Sequence, residues 1–274
     1  MAAADLLVSF LDLILAQIPI AFREHFLFLK FVPLCNVHAV PLYAATDCSV
    51  WFTVAFSFDR CVAICFQKLK TKYCTERMAA VVLGTVTVLS CLKDIVWYFM
   101  FTGEYVLGNI PWFCWPRAGV QESPVWTTIE FIHYHLNPLV PFLLVLLFNA
   151  VTIRHVLVAS SARRRLQTSN NGGRPKDPEM EKRRKSLILL LVVSGNFILL
   201  WALFTSNFIW YRLWHLGSVS MLPPDFVPEL SFMLQLLSCC TNTALYAVTQ
   251  TKFRQQLNEM VNYPVTLIVK HMQC

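Results

Sequence analysis

Charge is scarce in this chain. Only 14% of its 274 residues are Asp, Glu, Lys or Arg, 56% are hydrophobic, and the mean hydropathy is +0.53. Soluble domains carry about 25% charged residues. A water-soluble fold of this length could hardly bury so much apolar surface, so lipid is the solvent the composition fits. Catalytic signatures are missing too: there is no Gly-rich phosphate loop, no His-Glu-x-x-His and no Gly-x-Ser-x-Gly. The enzyme classes that depend on those motifs are excluded, and the expectation is a non-enzyme without a cofactor. No internal repeat is visible, which disfavours a transporter built from inverted halves. No Asn-x-Ser/Thr sequon occurs. No basic n-region or small-residue cleavage site accompanies the first apolar run, so that run is expected to be an uncleaved anchor.

What the chain does have is six apolar stretches, at about 2–22, 31–66, 78–101, 125–158, 186–214 and 226–248. Each is long enough to cross a hydrocarbon core of about 30 Å as a helix, with length to spare for tilt. The first carries Asp5 and Asp12, and the fourth carries Pro138 and Pro141, which neighbouring membrane helices can accommodate. The net charge of +7 is concentrated: residues 154–185 hold ten of the 23 Lys and Arg. Basic clusters can mark nucleic-acid binding, but here they flank apolar runs. The positive-inside rule then places segments 67–77 and 154–185 and the tail in the cytoplasm. Segments 23–30, 102–124 and 215–225 face outside, and six spans leave both termini cytoplasmic. The expected organisation is a bundle over 1–249, with a flexible basic loop at 159–185, and a tail over 250–274. The loop is read as flexible from its Ser-Asn-Asn-Gly-Gly-Arg-Pro run.

Nine of the ten cysteines divide by this topology. Cys48, Cys61, Cys65, Cys74, Cys91, Cys239 and Cys240 lie inside apolar runs or beside basic ones and are expected to be reduced. Cys35 and Cys114 fall on the opposite face, where an oxidising compartment makes them natural partners.

Phe58-Asp59-Arg60-Cys61 closes the second run, with Cys35 25 residues before Arg60. That is roughly 38 Å of helix, so cysteine and arginine sit at opposite membrane faces. The tetrapeptide resembles the Asp-Arg-Tyr motif that ends the third helix of rhodopsin-like (class A) G protein-coupled receptors. Asn242-Thr243-Ala244-Leu245-Tyr246 resembles their Asn-Pro-x-x-Tyr motif. Phe253 between Lys252 and Arg254 resembles the start of their short surface helix. Ala2-Ala3-Ala4-Asp5-Leu6-Leu7 resembles the second-helix motif with its buried aspartate, and Phe197 and Trp201 resemble the aromatic pair of the sixth helix. Cys35 and Cys114 match the family's disulfide. The order of these features holds over nearly the whole chain. The chain also departs from the pattern: Leu203 and Thr243 replace prolines, Asn149 replaces a tyrosine, and Arg183 stands where an acid is common.

The resemblance implies an all-α transmembrane bundle, with six spans of a seven-helix receptor fold plus a short amphipathic eighth helix. The first helix of that fold is expected to be absent. It implies a plasma-membrane receptor that passes an extracellular small-molecule or peptide signal to a heterotrimeric G protein. It resembles, more loosely, the orphan branch that responds to aromatic amino acids. The switch residues would be Asp59, Arg60, Asn242, Tyr246, Trp201, Phe197 and Pro141, with Val50 completing a packing triad. Asp59 would hold Arg60 while the bundle is closed; an arginine that merely snorkels to the interface is the alternative. A sodium-like polar site would comprise Asp5, Ser49, Ser238 and Asn242, unless Asp5 is simply protonated or solvated. No other metal is expected.

The ligand pocket candidates are His38, Tyr43, Thr46, Glu130, His133, Asn137, Phe208, Glu229 and Gln235, with Leu42 and Thr205. Leu42 stands where amine receptors of the family carry an aspartate. Glu130 and His133 share a helix face, and with Arg212 and Glu229 they would read a zwitterion or a peptide, unless they are rim charge. Two other functions fit: a truncated, non-signalling form that pairs with full-length receptors as a dimer, and a small transporter. Nucleic acid is not an expected partner.

Overall fold

The computed structural model describes residues 2–108, 113–120, 123–168, 178–215, 217–224, 226–249, 254–255, 258–259 and 262. It is a helical bundle. Helix α1 spans Ala2–Ala21 and widens into a π-helical stretch over Ser9–Gln17. Helix α2 is Cys35–Cys65, α3 is Gln67–Tyr73 and α4 runs over Glu76–Met100. After a two-stranded ribbon come α5 (Pro124–Tyr134), α6 (Val140–Thr168), α7 (Pro178–His215) and α8 (Phe226–Thr249).

Among the described residues, five helices are long and apolar enough to cross a membrane: α1, α2, α4, the span Pro124–Ser161 and the span Ser186–Tyr211. The sixth expected span is present as helix α8. It falls outside those five and carries Glu229, Gln235, Thr241 and Asn242, of which Gln235 and Asn242 are buried inside the bundle.

Helix α2 is the axis of the fold. It packs against α1, α4, α6 and α7, and buries polar side chains as well as apolar ones: Asn36, His38, Asp47, Ser49, Thr53 and Ser57. Helix α4 reverses the polarity of a soluble helix. Over Glu76–Asp94 its buried residues are Ser90 and Asp94, while Val81, Val88, Leu89 and Leu92 point outward. Water would oppose that arrangement, whereas lipid tails are as apolar as the residues they meet. Thr75 caps α4, its hydroxyl accepting from the Met78 amide at 3.3 Å.

Two expectations of element shape need correcting. The second apolar run, expected from about residue 31, becomes helical only at Cys35; Leu27–Phe31 form a separate 3-10 turn. The fourth run is not one helix. Its π-helical segment His135–Leu139 breaks at Asn137 (φ −144°, ψ 96°), because the ring of Pro138 disfavours helical geometry in the preceding residue. The outer segment 102–124 contains strands β1 (Phe101–Tyr105) and β2 (Cys114–Pro116), paired antiparallel with Tyr105 opposite Cys114. Helices α6 and α7 also reach into the basic segment, to Thr168 and from Pro178.

The ribbon closes the Cys35 end of the bundle. Cys35 and Cys114 form the disulfide, with Cα atoms 5.7 Å apart, and the other seven described cysteines named above are free. Gly103 lets β1 lie against the chain entering α2, since a Cβ there would stand 2.9 Å from the Pro33 carbonyl oxygen. Phe101, Phe113, Trp97 and Cys114 pack with Leu42 and Ile20 into one apolar cluster beneath the ribbon.

Candidate functional site: a cavity, a buried charge cluster and an arginine clasp

Beneath the ribbon lies a cavity of about 60 Å³. Its polar lining is Asp12, Gln17, Thr46, His133, Asn137 and Gln235. Its apolar lining is Leu42, Tyr43, Phe113, Trp201, Phe204 and Phe232. Of the residues picked out in the sequence, Leu42, Tyr43, Thr46, His133, Asn137 and Gln235 therefore converge. His38, Thr205, Glu130, Phe208 and Glu229 are not part of the described lining. His38 turns to α1, with its Nε2 2.8 Å from the Leu11 carbonyl oxygen and its ring against Phe113. The side chain of Arg212 lies outside the described residues. The π-helical stretch of α1 puts Asp12 and Gln17 on the same wall, where Gln17 Nε2 donates to Asp12 Oδ1 at 3.2 Å. Burial in the ribbon pushes the phenol of Tyr105 above its ordinary range.

Beside the cavity is a cluster of charge that the sequence reading missed. Lys93 on α4 forms an ion pair with Asp47 on α2, and its Nζ also lies 3.4 Å from Asp94 Oδ1 and 3.1 Å from His133 Nδ1. An ammonium can only donate, so Nδ1 accepts. Asn137 Nδ2 donates to Asp47, and Trp97 Nε1 donates to Asp94 Oδ1 at 3.1 Å. Tyr43 stacks on Trp97 at 4.4 Å between ring centres, and both meet the His133 ring edge-on. The break at Asn137 is what turns its amide toward Asp47. A signal for this cluster was available: Lys93-Asp94 and Asp47 are ionisable residues inside apolar runs, and such residues demand partners.

Halfway down the bundle, the Ser49 hydroxyl donates to Asp5 Oδ1. Asp5 Oδ2 and the Ser238 hydroxyl oxygen are buried with no hydrogen-bond partner. Asn242 Oδ1 accepts from Asn196 Nδ2 at 3.2 Å, and Asn196 Nδ2 also donates to Thr241 at 2.8 Å. Thus α7 and α8 are joined at the level of the Asn-Thr-Ala-Leu-Tyr segment. The side chains of Thr243 and Tyr246 lie outside the described residues. Trp201 and Phe197 are buried with their rings 5.6 Å apart and pack with Val50, Val54 and Val145. Pro141 is buried one turn before Val145 on α6. Trp201 is both the centre of this cluster and part of the cavity wall.

At the far end of α2, Arg60 Nε donates to Asp59 Oδ2 at 3.0 Å, and a second guanidinium nitrogen bonds the same oxygen. The guanidinium also lies 5.6 Å from the centre of the Phe56 ring, one turn back. Both side chains remain about one-third exposed. The thiol of Cys74 donates to the Asp59 carbonyl oxygen at 3.6 Å. Burial, the hydrogen bond to Asp59 and the charge of Asp59 push that thiol up to about 11. A turn above Arg60, Ser57 meets Ser194 at 3.5 Å, and Ser194 donates to Asn149 Oδ1 at 3.3 Å. Asn149 thus links α6 to α7 and, through Ser194, to α2. The Arg183 side chain lies outside the described residues; in the tail, residues 254–255, 258–259 and 262 are helical, and all of these are exposed.

No curated protein matches the chain. A family match does cover the bundle: the family model described as 7 transmembrane receptor (rhodopsin family) matches residues 1–246, from the first turn of α1 to the tyrosine near the end of α8. With the helices set around α2 as described, and a disulfide and an Asp-Arg clasp at its two ends, the chain is a multi-pass membrane protein that belongs to the rhodopsin family of seven-transmembrane receptors.

Proposed function

We propose that the chain is a receptor of the plasma membrane that passes an extracellular signal to a heterotrimeric G protein, with its Arg60 end in the cytoplasm. The observation that carries this is the Asp59–Arg60 clasp. An ion pair held at a helix end, with both side chains about one-third exposed, costs little to open. Released from Asp59, the guanidinium presents five donors to the backbone carbonyls of an incoming helix end. The basic segments 67–77 and 154–185 carry the positive charge that the positive-inside rule assigns to this face.

A ligand that binds the cavity under the ribbon touches Trp201, and Trp201 packs on Phe197 and Val50. A shift of that cluster changes how α7 sits on α2, and the Ser57–Ser194–Asn149 contacts lie along the same seam. The ligand acts by its differential affinity for the closed and open bundles. The unpartnered oxygens of Asp5 and Ser238 are hard donors that suit a sodium ion. Asp5, Ser49, Ser238 and Asn242 would hold it and add a positive charge between α1, α2 and α8.

The test is nucleotide exchange on purified G protein heterotrimers of each α class, with the full chain in lipid nanodiscs. The expected result is basal exchange on at least one class, lost in Arg60→Met with the disulfide and helical content intact. Equal exchange by the wild type and Arg60→Met would overturn the reading.

A further inference from the structure

Three buried side chains from three helices surround the ammonium of Lys93. Asp47 comes from α2, Asp94 from α4 and His133 from α5, and they are 2%, 0% and 8% exposed. One ligand atom of each lies within 4.8 Å of the others, and His133 Nδ1 is 3.8 Å from Asp94 Oδ1. Ligands bound at about 2.0–2.1 Å in a tetrahedron stand about 3.3 Å apart, so a small inward shift closes this set on one ion. Among the described residues no other group of three His, Cys, Asp or Glu side chains comes together in this way.

The atoms are also turned toward a cation. His133 Nδ1 accepts from Lys93 Nζ at 3.1 Å, so its lone pair already points at a positive charge. Asp94 Oδ2 and Asn137 Oδ1 are buried with no hydrogen-bond partner. Lys93 brings one positive charge to two carboxylates, and surplus charge within an apolar span is costly. A divalent ion brings two. Lys93 can give way to it: its side chain is 34% exposed, and its flexible stem can carry the ammonium toward the end of α4 at Met100, about 10 Å along the helix. Carboxylates alone suit magnesium or calcium, whereas an imidazole nitrogen among them suits zinc.

We infer that Asp47, Asp94 and His133 bind a zinc ion, which replaces the Lys93 ammonium and ties α2, α4 and α5 together. Asn137 stands against Asp47, and its carbonyl oxygen supplies the fourth donor when the amide turns over. The ion takes the place of an ammonium, so the site needs no larger cavity. His133 lines the cavity beneath the ribbon, which gives the ion its way in. Nothing in this site depends on coupling to a G protein.

The test is a titration of the metal-free full chain in nanodiscs with Zn²⁺ against a fluorescent zinc chelator, with absorption spectra of the Co²⁺ form. The expected result is one equivalent of zinc per chain, not displaced by millimolar Ca²⁺ or Mg²⁺. Binding should weaken at least about tenfold in Asp94→Asn and in His133→Gln. Lys93→Met should tighten it about tenfold or more, because the competing cation is gone. Cobalt should show visible d–d bands without thiolate charge-transfer absorption, which separates this site from the free cysteines. No zinc binding, unchanged binding in either ligand variant, equal or weaker binding in Lys93→Met, thiolate absorption from the bound cobalt, or displacement by calcium would each overturn the inference. If Lys93→Met is not recovered folded, the two ligand variants and the cobalt spectrum decide. Arg60→Met should bind zinc as the wild type does. Zinc binding without Arg60-dependent nucleotide exchange therefore overturns the receptor reading alone, and exchange without zinc binding overturns this inference alone.

Discussion

Replacing Lys93 with methionine removes an ammonium that meets two carboxylates, Asp47 at 2% side-chain exposure and Asp94 at 0%. Methionine keeps the length and the lipid-facing stem, so the change is mostly one of charge. Breaking a buried ion pair by deleting one partner costs about 3–5 kcal/mol, since the survivor stays buried and unpaired. Lys93 itself is one-third exposed, which brings the expectation to the lower end, about 3 kcal/mol. Asp47→Asn leaves Lys93 unpaired on one side only, and its flexible stem lets it turn outward, so about 1–2 kcal/mol is expected. The double variant should cost less than the sum, with a coupling of about 1–3 kcal/mol. The assay is thermal unfolding of the purified chain in detergent, read by tryptophan fluorescence. At about 2–4 °C per kcal/mol for a chain of this size, Lys93→Met should melt roughly 6–12 °C below wild type. A shift under about 2 °C, or strictly additive single and double variants, would refute the claim that Lys93 neutralises this cluster.

Other outcomes follow from single contacts. Cys74 should alkylate more slowly than an ordinary exposed thiol at pH 8, with a rate that climbs until pH passes about 11, and Asp59→Asn should speed it by removing a negative neighbour; timed maleimide labelling with mass spectrometry reads this. Cys114→Ser opens a link across 79 residues, worth about 4.5 kcal/mol by loop entropy, and should lower both cell-surface expression and melting temperature. Gly103→Ala drives a methyl to 2.9 Å from the Pro33 carbonyl oxygen and should cost about 1–3 kcal/mol, whereas Gly84→Ala, with open space around it, should be neutral or slightly stabilising by melting temperature.

The long elements and the two ends of α2 were legible because each is written locally. A run of apolar residues, basic clusters beside it and a cysteine 25 residues before an arginine are all one-dimensional facts. The break at Asn137 was also signalled, by Pro138, but its consequence was not. Only the fold shows that the broken turn aims Asn137 at Asp47 across two helices. Of the pocket candidates, Tyr43, Thr46, His133, Asn137 and Gln235 share one cavity, while His38 points instead at the backbone of α1. One turn along a helix is about 5 Å, and a rotation of 100° per residue decides whether a side chain meets a cavity or a neighbour. Asp12 joined the lining through the π-helical stretch of α1, a local widening that its apolar pattern did not announce.

Composition, hydropathy and motif order by themselves determined the solvent, the number and order of long apolar stretches, the disulfide pair and the receptor family. These follow from transfer free energies and from short-range spacing, which the linear chain carries in full. The tertiary structure alone decided which polar groups neutralise one another. Lys93 lies beside Asp94 in sequence, yet it serves Asp47 on another helix, and Asp12, Asn137 and Gln235 face one cavity from three separate elements. Electrostatic and hydrogen-bond energies depend on distances of a few ångströms between side chains, and those distances exist only after the helices have packed.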